Sequence, residues 1–238
     1  MVTQVEGRPI RMGALVVSIL MTLTVGCGDG SRKSDQAVGP SAGVSKTNPS
    51  RVVDLAGLTS QSFLFTYYNS PEELVKGRDH VAIVIGEVTA INQGRDIYRT
   101  EESPTPQKYV VVHVKVAESF KDRGYVKDGY VYLEMYQGGL YSDGIPKRSL
   151  DDWRAALPAG TRLMLFLGRD YKTGRIEGAE NGRPPGTELT IADPQGILVE
   201  STDLSRPGIA DAWGEVKGSW KDITSLSEVG ERVRKALQ

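Results

Sequence analysis

Two histidines, one cysteine and three adjacent carboxylate pairs are the side chains of this 238-residue chain that first suggest chemistry. His80 precedes the run HVAIVIGEVTAI, and His113 alternates with valines in KYVVVHVKVAESF. Neither has a second histidine, a cysteine or a carboxylate at ligand spacing, so nothing completes a zinc site or a histidine base. Glu72–Glu73 and Asp151–Asp152 fall in the first turns of predicted helices, where negative charge favours the helix dipole. Glu101–Glu102 lies in a Pro- and Thr-rich loop. A glycoside-cleaving pair needs two carboxylates on separate elements, roughly 5 to 10 Å apart. The motifs S-x-x-K and H-E-x-x-H do not occur. The residues therefore predict no catalytic site, no metal and no cofactor.

The cysteine is Cys27, in LTVGCGDG. Ahead of it, Arg8 and Arg11 give a basic start, and GALVVSILMTLTV (13–25) is apolar and uncharged. This run is too short to cross a hydrocarbon core of roughly 30 Å, which takes about 20 helical residues. A basic start, a short apolar middle and small residues at its end read as a secretory signal peptide, residues 1–26. Thr24-Val25-Gly26-Cys27 resembles the lipobox of bacterial lipoproteins, with Thr24 where that family prefers leucine. The resemblance implies cleavage after Gly26 and attachment of diacylglycerol to Cys27. It implies a membrane partner and a site facing the periplasm or cell exterior. Exported proteins use cysteines in pairs, so a lone acylated cysteine fits where a lone thiol would not. Two or more acyl chains anchor durably where one is marginal.

Residues 27–51 are Gly, Ser, Pro and charge without apolar periodicity, which predicts a flexible tether. Residues 52–238 suit one globular domain. The whole chain carries 29 basic and 30 acidic residues, a net charge of −1. No basic face is evident, which argues against nucleic acid.

The elements that must position any site follow from pattern. Ser70-Pro71-Glu72-Glu73 starts a helix that Gly77 ends. HVAIVIGEVTAI (80–91) reads as a strand. In it Val81, Ile83 and Ile85 alternate on one face and Val88 and Ala90 on the other parity, so a bulge at Gly86 would unite them. In 108–120, Val110, Val112, Val114 and Val116 point inward, with His113 and Lys115 outward. YVYLEMY (130–136) is a third strand, with Val131, Leu133 and Met135 on one face and tyrosines on the other. Ser149 caps a short helix whose stripe is Leu150, Trp153 and Leu157. TRLMLFLG (161–168) is a fourth strand, 169–187 a long loop, and 188–201 a fifth strand, broken near Pro194. A last helix begins at Ser225, with Glu228 completing a capping box.

A mainly β chain with peripheral helices, and one helix between its third and fourth strands, resembles the OB-fold barrel and the netrin-like domains that share it. The resemblance covers about residues 79–201, by pattern. Another small β-barrel or sandwich is the alternative fold. The resemblance implies a ligand face on strands 2 and 3, framed by two loops. That face would carry Tyr130, Tyr132, Tyr136 and His113; the alternative is that tyrosine simply favours strands and the C-terminal segment covers the stripe. The loops would add Arg95, Tyr98 and Arg99, and Arg169, Tyr171 and Arg175. Tyrosine and arginine are common binding anchors. The expectation is a lipid-anchored, non-enzymatic binding module for an envelope glycan or protein. A cell-wall hydrolase, or an inhibitor or accessory subunit of an envelope enzyme, is the alternative. Trp213 and Trp220 are expected to pin the C-terminal segment to the core.

Overall fold

The computed structural model describes residues 66–200, 209–211 and 218–238. The signal peptide, Cys27, the tether and Trp213 lie outside the described residues. In chain order the elements are α1 (Pro71–Gly77), β1 (Ala82–Tyr98), β2 (Gln107–Asp122), β3 (Tyr130–Tyr136), α2 (Leu150–Ala156), β4 (Arg162–Arg169), β5 (Arg175–Glu177), β6 (Leu189–Glu200), β7 (Ile209–Asp211), a 3₁₀ turn (Gly218–Asp222) and α3 (Leu226–Ala236). The protein is mainly β, built on one seven-stranded sheet. β1 pairs with β2, β2 with β3, β3 with β6, β6 with β4 and β4 with β1, so these pairings form a ring. Only β3–β6 is parallel among them. Among the described residues no helix is long and apolar enough to cross a membrane.

The ring encloses the main core. Val84, Val88 and Ile91 of β1, Val110, Val112 and Val114 of β2, and Val131, Leu133 and Met135 of β3 meet Leu163, Leu165, Ile197 and Val199 there. Trp153 and Leu157 of α2 pack into the same cluster. Ser149 and Asp152 form the capping box of α2. The expected inward faces of the second and third strands, and the stripe of α2, are therefore as read.

β1 differs. Its register against β2 does break between Ile85 and Gly86, but the extra residue there sits on β2. A second break between Val88 and Ala90 adds Thr89 on β1. Ile83 and Ile85 do not join Val88: they face a second cluster beneath the helices. Both faces of this stretch are buried, so a period of two does not say which face is inside. Gly86 is required by close approach, since a Cβ there would lie 2.5 Å from the Lys115 carbonyl oxygen.

The second cluster joins Ile83, Ile85, Met164, Phe166 and Leu198 to Leu74 of α1, Trp220, and Leu226, Val229 and Val233 of α3. Trp220 is buried, and its Nε1–H donates to the Tyr68 carbonyl at 3.0 Å. It pins the terminal segment as expected. Arg232 of α3 holds Glu72 of α1 through two hydrogen bonds of 2.7 and 2.8 Å. That pairing draws the Glu72 carboxyl down to about 2. One further correction concerns strands: the region 169–187 is not all loop, because β5 pairs with β1 at Asp96–Tyr98. β6 is one strand, but its ladder to β4 is interrupted between Ala192 and Ile197, at the break expected near position 194, and β7 adds to its edge.

Candidate functional site

The outer face of β2 and β3, opposite the main core, carries Tyr109, Val111, His113, Tyr130, Tyr132, Glu134 and Tyr136. It is not open. Residues 170–188, here called the strap, lie across it, ahead of β6. Tyr132 is 5 % exposed and packs with Val111, Leu189 and Tyr130. The His113 ring meets Tyr132 edge-on at 5.0 Å, and its Nε2 reaches the carbonyl of Gly182 on the strap. Tyr130 stacks on Tyr132 at 6.5 Å, and Tyr136 is tilted against Tyr109 at 5.4 Å. Both are half-buried. The stripe expected as an open ligand surface is thus occupied by the protein's own chain.

Four charges fasten the strap. Glu134 has no exposed side-chain area. Arg95 grips it in a two-pronged contact, Nε to Oε1 at 2.7 Å and Nη2 to Oε2 at 3.0 Å. From the strap, Asp170 takes a hydrogen bond from Arg95 Nη2, and the Lys172 ammonium reaches Glu134 Oε2. Lys172 also sits 4.3 Å over the Tyr109 ring. Two cations thus meet two anions. Burial opposes the charge on Arg95, but Glu134 and then Asp170 outweigh it and raise its pKa. Burial likewise opposes the Asp170 charge, yet Lys172 and Arg95 hold its carboxyl below the usual range. Asp170 is consequently ionised near neutrality and unsuited to proton donation. Burial first, then Glu134, pushes the Tyr109 phenol up.

The backbone explains how Arg95 reaches this face. The β1–β2 register breaks between Gln93 and Asp96. Asn92 meets His113 and Arg95 meets Glu134 on one face, three residues apart, where regular alternation would need two or four. The inserted residue re-aims the arginine.

Beside the strap is an open polar cleft of about 490 Å³. Gln93, Gly94, Asp96 and Lys108 line it from the β1–β2 ladder, Pro146 from the β3–α2 loop, and Glu177, Gly178 and Asn181 from the strap. Its groups are held in place. Lys108 donates to Asp96 at 2.7 Å, Gln93 donates to Gln137 at 2.7 Å, and Tyr98 donates to Glu177 at 3.3 Å. The two loops that border it also display large apolar side chains: Tyr141 at 57 %, Ile145 at 56 % and Tyr171 at 72 % exposure.

The expected surface residues therefore separate into three sets. Arg95, Tyr132 and His113 lie under the strap. Arg175 stacks over the Tyr98 ring at 3.8 Å, next to the cleft wall. Arg99 and Tyr171 are exposed on loops, whereas Arg169, expected on the second loop, is exposed at the end of β4, paired with Thr190. Sequence reasoning missed Glu134 and Asp170 as partners of Arg95, and missed the cleft's Gln93, Asp96, Lys108, Glu177 and Asn181. A lone carboxylate inside YVYLEMY was the available signal, because a charge on a strand facing protein on both sides needs a partner. His80 is a core residue. Its Nε2 lies 3.0 Å from the Leu74 carbonyl, and burial lowers its pKa. Among the described residues no three His, Cys, Asp or Glu side chains gather as a metal site. No protein-family model matches the chain, and neither does any curated protein or solved structure.

Proposed function

We propose that this chain is a lipid-anchored envelope protein whose OB-like barrel is a non-enzymatic binding module, with its ligand taken in the polar cleft. The observation that carries the reading is the convergence of the strap, the β3–α2 loop and the β1–β2 ladder on that one cleft. Support for the barrel comes from the ring of pairings, with α2 between its third and fourth strands. Support for the anchor is the lipobox-like Thr24-Val25-Gly26-Cys27.

The lining argues for a hydroxyl-rich ligand. Amides of Gln93 and Asn181 offer both donors and acceptors, and carboxylates of Asp96 and Glu177 accept from hydroxyl pairs. Tyr141 and Tyr171, on the two segments that bring Pro146 and Glu177 to the cleft, offer exposed flat faces, as sugar rings require. An envelope glycan fits this chemistry.

Two experiments test the reading. Intact mass of the protein from native-host membranes should show a chain starting at Cys27 with added acyl mass, and Cys27→Ala should leave the membrane. Co-sedimentation with purified cell-wall sacculi should occur for wild type and be lost in a Tyr141→Ser/Tyr171→Ser double variant. Release of soluble wall fragments would make the protein a hydrolase instead. Equal sedimentation of both variants would remove the cleft as the site.

A further inference from the structure

We infer that the strap is a latched lid: the Arg95–Glu134–Asp170–Lys172 quartet fixes it in one docked position, and that position shapes the ligand cleft. The inference rests on the cleft reading above for its functional meaning, though not for its mechanics.

Three features of the strap support a separable lid. Its apolar footing is small: no side chain of 170–188 joins the three apolar clusters, and Leu189, which meets Val111, Tyr132 and Tyr130, already belongs to β6. Its only ladder is β5, three residues against β1. The ring of pairings from β1 to β6 does not use it. Segments with little apolar burial open locally, without global unfolding.

Docking is nonetheless specific. A buried ion-pair group is close to neutral for stability but strict in geometry. Removing one partner leaves an uncompensated buried charge, which is costly. The strap's backbone also fits closely. Gly174 has φ +107° and Gly182 φ +78°. A Cβ on Gly174 would lie 2.1 Å from the Tyr98 carbonyl oxygen, and one on Gly182 would lie 2.8 Å from that of Gln93. The strap therefore sits on the strand backbones in one register or leaves them. When it leaves, the cleft loses Glu177, Gly178 and Asn181, and the tyrosine face opens.

Hydrogen–deuterium exchange of the full chain, without ligand, tests this. In wild type, strap amides should exchange faster than those of β3, β4 and α3, yet slower than a free peptide. Glu134→Gln should speed the strap by about a hundredfold and leave β3, β4 and α3 unchanged, because it removes the Lys172 contact and leaves Arg95 undercompensated where the strap covers it. Lys172→Met, changed on the strap itself, should act in the same direction, and it serves if Glu134→Gln does not fold. Exchange of the strap in step with the core strands would overturn the lid. Unchanged strap exchange in the folded variants would overturn the latch. Sacculi binding by either variant is a separate readout: a loosened strap with unaltered binding keeps the latch and removes the cleft as the ligand site.

Discussion

Two outer faces of one sheet are covered in opposite ways. On one, α1, the 3₁₀ turn and α3 bury Trp220, Phe166, Leu74, Leu226 and Val233 against β1 and β4. On the other, the strap covers β2 and β3 with glycines, little apolar area and two charges, Asp170 and Lys172, that meet Arg95 and Glu134 of the sheet. Apolar burial scales with area and tolerates small displacements, whereas a buried charge group accepts one geometry. The helix side is thus built to stay closed, and the strap side to close in one way. The strap side borders a polar cleft, and the two segments that bring Pro146 and Glu177 to it also carry exposed Tyr141 and Tyr171.

Predictions that break or sharpen this contrast run from large to small. Trp220→Ala should cost about 3–5 kcal/mol of global stability, the usual cost of deleting a buried tryptophan. Denaturant titration checks it, and a smaller loss would make the two covers equivalent. Glu134→Gln should lower global stability less than this, because its loss is capped by the free energy that docks the strap. The same titration compares the two. Gly182→Ala should cost about 1–2 kcal/mol of strap docking from its left-handed backbone alone, before the contact with Gln93 and Val111 is counted. Strap exchange rates report that cost.

Acid should separate the faces next. Asp170 has a lowered pKa when docked, so its contribution is full above the ordinary carboxylate range and is lost as pH falls through the lowered value. The Glu72–Arg232 clamp loses its contribution between the ordinary glutamate range and about 2. The clamp is partly solvated and rests on an apolar cluster, whereas the strap has little else to hold it. Strap exchange should therefore rise in acid before far-UV circular dichroism changes. Least in energy, Tyr171→Ser should alter stability by no more than about 0.5 kcal/mol, as exposed positions do, while weakening ligand binding.

This contrast also governed what the sequence made legible. Ser70, Ser149 and Ser225 each cap a helix through a hydroxyl that accepts a backbone N–H three residues on. Such signals are local and readable. Val110 to Val114 and Val131 to Met135 alternate because one of their faces lines the main core. The strap has no such period. Its charge partners lie 38 and 75 residues away along the chain, and charge pairing at that distance leaves no local pattern. β5 is too short to announce itself. In β1, burial on both faces hid which residues point inward. The candidate tyrosines lie on the expected strand, but the cover expected from the C-terminal segment comes from the strap, because a glycine-rich, charged segment reads as solvated loop. The cleft was equally hidden, since its lining comes from four separate stretches of chain.

The central claim is that ligand meets the strap side and not the helix side. Site-specific photo-crosslinking in native-host cells tests it directly, with a benzophenone side chain at position 141 or 171 and, for comparison, at exposed position 237 on α3's end. The account predicts discrete adducts with an envelope component from 141 and 171 and none from 237. Adducts from 237 alone, or the same adducts from all three, would contradict it.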